Sequence, residues 1–196
     1  MNYLAHAYLS FNRPEILVGN MISDFVKGKQ KEIYPAFIFK GIMLHREIDS
    51  FTDAHPATLK AKEFFRPAYR LYAGAFVDIV YDHFLANDTG IFSENEWLSF
   101  SQNTYYILEK HIQLLPDRFR GMLPYMKQQN WLFNYRYRWG IQNSFNGLVH
   151  RAQYMHDSSE AFSTFENNYT ALQRCYAEFM PDVILFTKNR FNLSFQ

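Results

Sequence analysis

Hydrophobic positions along this chain recur every three or four residues, in runs opened by proline or a capping side chain. Pro14 opens a predicted helix through Glu15-Ile16-Leu17 to Phe25-Val26, with Gly28 as its stop. Pro35 opens a second, whose apolar stripe is Phe37, Ile38, Gly41, Ile42, Leu44, Ile48 and Phe51. Pro56 begins a short third. Pro67 begins a long fourth through Leu71, Ala75, Ile79 and Phe84-Leu85, closed by Asn87-Asp88-Thr89-Gly90. Ser93 and Glu96 have the spacing of a capping box and open a helix to about Leu115, and Pro116-Asp117 starts another short one. Residues 130–156 read as a short helix or turn and then a helix from Gly140. Asp157 with Glu160 marks a further start, running to about Met180, and Pro181 opens the last helix. No segment alternates with a period of two between hairpin signals, so no sheet is expected. The predicted architecture is all-α, a multi-helix bundle in one domain over residues 1–196, without a plain four-helix up-down pattern.

Composition narrows this picture. Of 196 residues 48% are hydrophobic and 19% aromatic, which excludes a disordered chain and supports a large core. No stretch approaches the roughly 20 apolar residues of a membrane span, and the amino-terminal residues do not read as a signal peptide. The single cysteine, Cys175, rules out an internal disulfide framework and fits a reducing cytoplasm. A net charge of +1 argues against a generic nucleic-acid or membrane-surface binder. The charge is unevenly spread. Residues 71–117 hold one basic and seven acidic side chains, and residues 118–156 hold six basic and none acidic. Such a block either pairs across the fold or meets an anionic partner. Within it, Trp131-Leu132-Phe133, Tyr137 and Trp139 interleave with Arg136 and Arg138, more like a recognition surface than a core helix.

Acids and histidines stand where an apolar face is expected. Asp24 lies among Ile22, Phe25 and Val26, as a cap, an ion-pair partner or a functional group. His45 and Asp49 are four apart, one turn above the other, and Asp53 continues the stripe. Asp78 and Asp82 are also four apart. Like charges at that spacing destabilise a helix unless a metal ion, or an Arg or Lys from another helix, sits over them. His83 adjoins Asp82, and His6 sits in Leu4-Ala5-His6-Ala7. Each has an ordinary structural explanation. Together they come from four apolar segments, and burying so many charges unpaired is very costly. A shared divalent cation accounts for all of them. Imidazole and carboxylate ligands suit Mn²⁺, Fe²⁺ or Zn²⁺ better than Ca²⁺.

At these residues the sequence resembles the acyl carrier protein phosphodiesterases. The likeness is carried by Met1-Asn2-Tyr3-Leu4-Ala5-His6, Gly19-Asn20 with Asp24-Phe25-Val26-Lys27-Gly28, Gly41 with His45-Arg46-Glu47-Ile48-Asp49 and Thr52-Asp53, and Asp78 with Asp82-His83-Phe84-Leu85. These motifs stand in the family's order with similar spacing. The resemblance implies a divergent relative of the HD-domain phosphohydrolases, with an all-α, HD-like fold and a divalent metal, usually Mn²⁺, with Mg²⁺ or Fe²⁺ as alternatives. It implies hydrolysis of the phosphodiester joining 4′-phosphopantetheine to a serine of holo-acyl carrier protein. The adjacent pair departs from the HD pattern by its order, Asp82-His83.

On this reading the expected metal ligands are His6, Asp24, His45, Asp49, Asp82 and His83. Asp24, His45, Arg46 and Asp78 are expected to act at the reaction, Asp78 by orienting a ligand histidine. Arg46 and Arg151 are candidates to clamp the phosphate. Carrier proteins are acidic along their recognition helix, which makes Arg13, Lys27, Lys29, Lys31, Arg118, Arg120, Lys127, Arg136, Arg138 and Arg151 candidates for docking. The aromatic segment 131–139 is a candidate slot for the pantetheine arm. Two other classes fit the same residues: a phosphohydrolase acting on a nucleotide or other small phosphodiester, and a non-catalytic helical metal-binding module.

Overall fold

In a computed structural model of the protein, residues 1–152 and 157–194 are described, with side chains at all of these except 151, 193 and 194. They form eleven α-helices joined by short 3₁₀ turns, and no strand occurs among them. The all-α expectation therefore holds, and the helix starts set by local capping hold with it. Pro14 opens α2 (Pro14–Ile22), Pro35 precedes α3 (Ala36–Ala54) and Pro56 opens α4 (Pro56–Tyr69). Ser93 and Glu96 form a reciprocal capping box on α6 (Glu94–Lys110). A six-residue helix, α1 (Tyr3–Tyr8), precedes these, and Phe11 and Asn12, both with positive φ, turn the chain from it into α2.

Five boundaries differ from the sequence reading; one is α6, which ends at Lys110 with a separate 3₁₀ turn over Ile112–Leu114 instead of running to about Leu115. The first predicted helix stops at Ile22, and a 3₁₀ turn over Ser23–Phe25 follows, where the Ser23 hydroxyl donates to the Ile42 carbonyl 3.2 Å away in α3. Pro67 does not open a helix; it lies in the last turn of α4. The break comes at Arg70, whose φ of +45° ends α4, before α5 (Ala73–Ala86) begins. The helix expected from Asp157 to Met180 divides into α10 (Ser159–Asn167) and α11 (Tyr169–Ser194). Pro181 sits inside α11 on its exposed side, as does Ala177, whose carbonyl loses its helical donor. On the exposed side water is available to stand in for that donor, so the helix tolerates the proline.

Helix α5 is the axis of the molecule. Eleven of its fourteen residues are buried. Around it pack α1, α4, α11 and α9 (Arg138–Arg151). Phe65 of α4 stacks on Phe76 of α5 with ring centroids 5.6 Å apart, and Phe145 of α9 meets both edge-on. Most of the aromatic content is spent this way, filling gaps between helices. Between α6 and α9 lie α7 (Asp117–Gln128) and the single-turn α8 (Trp131–Asn134).

Candidate metal centre

The site is set by how closely α2 and α3 cross. A Cβ on Gly19 would lie 2.1 Å from the Ile38 carbonyl oxygen, and one on Gly41 would lie 2.3 Å from the Ile16 oxygen. Backbone therefore touches backbone at this crossing, and only glycine permits it. One turn beyond, the His45 Nδ1–H donates to the Asn20 carbonyl across 2.7 Å. The 3₁₀ turn after α2 then presents Asp24 to the other side of the same ring, Oδ1 at 3.2 Å from His45 Nε2.

Helix α1 supplies His6. The Asn20 amide nitrogen donates to the His6 carbonyl at 2.8 Å and to Ser10 Oγ at 3.1 Å. Its oxygen is thereby turned to His6 Nδ1, 2.8 Å away, so Nδ1 carries the proton. The two imidazoles stack with centroids 3.8 Å apart and planes 14° from parallel. Both Nε2 atoms face Asp49, at 3.1 Å from Oδ1 for His6 and 3.1 Å from Oδ2 for His45. One ligand atom from each of His6, His45 and Asp49 lies within 4.8 Å of the others.

This geometry states a need. With both Nδ1 hydrogens committed, a neutral His6 and a neutral His45 aim lone pairs at carboxylate oxygens. Something positive must lie between them. A proton meets part of the demand. Burial lowers the His45 pKa, but hydrogen bonds to Asp24 and Asp49 raise it to about 9. Burial and the charge on His45 hold His6 down to about 4, since two stacked rings do not both ionise. Burial works against ionisation of Asp49, yet its bonds to His45 and His6 keep it far below the carboxylate range, and the His45 bond lowers Asp24 as well. A divalent cation meets the whole demand. Two imidazole nitrogens and the Asp49 and Asp24 oxygens are donors of the right chemistry for one, with Nδ1 partners that orient the rings.

Asp78 and the Met1 amine complete the surround. The ammonium is fully buried, 2.9 Å from Asp78 Oδ1 and 3.4 Å from Asp49 Oδ1. Burial lowers its pKa, but these acids raise it to about 10. The Asp82-His83 pair is divided. Asp82 turns to α1 and accepts from the Leu4 N–H at 2.8 Å and the Ala5 N–H at 3.2 Å, capping that helix from 78 residues away. His83 turns into an aromatic pocket of Phe84, Phe165 and Tyr169. Its Nδ1–H donates to the Tyr135 carbonyl at 2.7 Å, and its Nε2 lies 3.2 Å from the Tyr169 hydroxyl. Both were expected as ligands; neither belongs to the cluster. Their side chains leave the helix about 100° apart, and a different helix occupies each direction. Asn20 is the residue that sequence reasoning left without a role. Its signal was a buried amide in the apolar run from Ile16 to Ile22.

A cleft of about 390 Å³ opens beside the cluster, bounded by Asp24, Asp78, Met1 and Arg118. Arg118 is exposed and makes no ion pair among the described residues, and the same holds for Arg13, Lys27 and Lys29. The other described side chains of the basic block are engaged. Arg136 pairs with Glu94 at 3.1 Å and lies over the Phe133 ring, Arg138 pairs with Glu166 and lies over Tyr169, Lys127 meets Glu109, and Arg120 meets Asp117. Much of the charge asymmetry is thus spent inside the fold. Lys31 lies 3.6 Å from Met43 Sδ, and one Arg46 amine nitrogen is committed to the Val26 carbonyl at 2.9 Å, bracing the chain after Asp24. The Arg151 side chain lies outside the described residues.

Fold and site together define an all-helical protein with a histidine–aspartate centre of metal-ligand type. The chain belongs to the acyl carrier protein phosphodiesterase family, whose sequence profile matches residues 1–183. It is 32% identical to the acyl carrier protein phosphodiesterase of Enterobacter sp. (strain 638) over 193 residues, covering 97% of this chain and 99% of that one. It is 29% identical to the protein of that name from Photorhabdus laumondii over 191 residues, covering 97% and 96%. With the one from Escherichia coli O157:H7 (strain EC4115 / EHEC) it shares 32% over 184 residues, covering 92% and 94%. No solved structure matches the chain. Among the described residues no helix is long and apolar enough to cross a membrane.

Proposed function

We propose that this chain hydrolyses the phosphodiester joining 4′-phosphopantetheine to a serine of holo-acyl carrier protein, releasing the apo-protein. A divalent cation, most readily Mn²⁺ and otherwise Mg²⁺ or Fe²⁺, is held by His6, Asp24, His45 and Asp49. One observation carries the reading: two stacked imidazoles, each with its Nδ1–H already committed, converge their Nε2 atoms on one carboxylate beside an open cleft. Membership of the family supplies the substrate class.

When bound, the cation supplies Lewis-acid polarisation of the diester and offsets charge on the departing serine oxygen. The chain's own groups do the rest. Asn20 holds both rings in one tautomer, its side chain for His6 and its carbonyl for His45. Asp24 is the most exposed carboxylate of the cluster and borders the cleft, so it is placed to take the proton of the attacking water. Asp78 neutralises the buried ammonium behind Asp49 and keeps that carboxylate oriented. Arg118 at the cleft receives the substrate's phosphate charge. Lys27 and Lys29, exposed just after Asp24, and Arg118 offer the acidic carrier helix a docking edge.

The test is a mass or gel-shift assay of purified holo-acyl carrier protein. Conversion to the apo form with Mn²⁺, lost on chelation and restored on re-addition, is the expected result; full conversion by metal-stripped protein refutes the metal assignment. Because docking is electrostatic, kcat/KM for the holo-protein should fall as salt rises to about 0.5 M, where screening acts within a few ångströms.

A further inference from the structure

A second cavity, of about 140 Å³, neighbours the cleft at the cluster, and Asn2 and Tyr3 bound both spaces. The cleft at the cluster carries Asp24, Asp78 and Arg118. The second cavity has no charged side chain and no histidine in its lining. Its walls are amides, indoles, the Tyr3 and Tyr135 rings and small residues. Trp139, Asn143 and Gly147 stand four apart along one face of α9, with Gly140 and Ser144 beside them. A helix face of this composition is too polar and too small for core packing, and Asn143 is exposed, its amide open to a ligand or to water. Across from it, Trp131 is held by its Nε1–H donating to the Gln129 side chain at 2.8 Å, and Asn134 donates to the Gln129 carbonyl at 2.7 Å.

We infer that this cavity is the subsite for the pantetheine arm, an uncharged chain with two amides and a gem-dimethyl group that extends from the scissile phosphate. The inference rests on the phosphodiesterase reading above and names the substrate portion beyond the phosphate. Three features select this occupant. The cavity and the cleft at the cluster share Asn2 and Tyr3 in their linings, so the two spaces are neighbours and a chain extending from a phosphate by Arg118 has this cavity next to it. Amide side chains with both donors and acceptors match an amide-bearing chain, and the indoles match its methyl groups. A nucleotide carrying further phosphates finds no cation there.

Gly147 provides the test, because a Cβ at this position meets no atom within 4 Å. Gly147→Leu adds bulk at the cavity wall while improving helix propensity, so the variant is expected to fold with an unchanged or higher Tm. The ratio of its kcat/KM for holo-acyl carrier protein to that for bis(para-nitrophenyl) phosphate, a diester without the arm, should fall by about tenfold or more. Two of the three tryptophans line the cavity, so free 4′-phosphopantetheine should quench wild-type fluorescence saturably and quench Gly147→Leu and Asn143→Leu much less. An unchanged substrate ratio, or equal quenching in all three proteins, overturns the assignment. If the wild type leaves holo-acyl carrier protein intact, the phosphodiesterase reading fails, and the subsite is then decided by the quenching alone.

Discussion

Gly41→Ala is a demanding perturbation of this fold, because one methyl group must move two helices. The added Cβ would stand 2.3 Å from the Ile16 carbonyl oxygen and 3.0 Å from the Gly19 Cα. An ordinary contact needs roughly 1 Å more, and neither neighbour is a side chain that can rotate away. Overpacking against backbone belongs at the upper end of its usual range, about 3 kcal/mol. Replacing glycine by alanine inside a helix returns about 1 kcal/mol. The net loss is about 2 kcal/mol, which in a chain of this size lowers Tm by about 4–8 °C. Activity should suffer more than stability. The same crossing sets the 2.7 Å bond from His45 to the Asn20 carbonyl and the approach of Asp24. A shift of about 1 Å there is enough to cost about a hundredfold in kcat/KM. Urea and thermal unfolding, Mn²⁺ affinity by calorimetry and holo-acyl carrier protein turnover measure the three effects. Gly121→Ala in α7, where a Cβ meets nothing within 4 Å, is the control and should stabilise slightly. A Gly41→Ala protein with wild-type Tm and wild-type metal affinity would refute the close-crossing argument.

Other outcomes follow from the same geometry. Asp49→Asn keeps the shape of the side chain but removes the charge facing both Nε2 atoms, so bound Mn²⁺ measured after dialysis should fall to background while far-ultraviolet circular dichroism stays helical. Asp82→Ala strips α1 of the carboxylate that caps it and leaves two buried N–H groups without a partner, at a cost of about 3 kcal/mol; a stable Asp82→Ala protein that lost only metal would make Asp82 a ligand after all. Burial lowers the His83 pKa below its unfolded value, so the unfolded chain binds more protons there and stability declines as pH drops below about 6.5. The urea midpoint should therefore decrease less between pH 7 and 5 in His83→Gln than in the wild type.

The helix starts were legible because capping and proline placement act within one turn of the residues that carry them. Ser93 with Glu96 needs no partner elsewhere in the chain. The cluster was partly legible for a related reason: charge on an apolar face is anomalous wherever the face packs, and that anomaly marks His6, Asp24, His45 and Asp49, though it marks Asp78, Asp82 and His83 equally. Whether a helix passes through a proline is different. Pro181 is harmless because the carbonyl it orphans faces water, and that depends on which side α11 turns to the core.

Sequence by itself thus determined the all-α class and most helix starts, and it singled out among its candidates the three residues, His6, His45 and Asp49, that the fold gathers into one group. Tertiary structure alone decided the fate of Asp82 and His83, adjacent side chains that diverge to cap α1 and to fill an aromatic pocket. It also decided the role of Asn20, and it divided the described side chains of the basic block into ion pairs within the fold and one open cation, Arg118. The reason is one of range. Periodicity and capping are read over three or four residues, whereas a side chain's partner is set by the angle and distance at which two helices cross. Here that crossing is set by two glycines that carry no side chain at all.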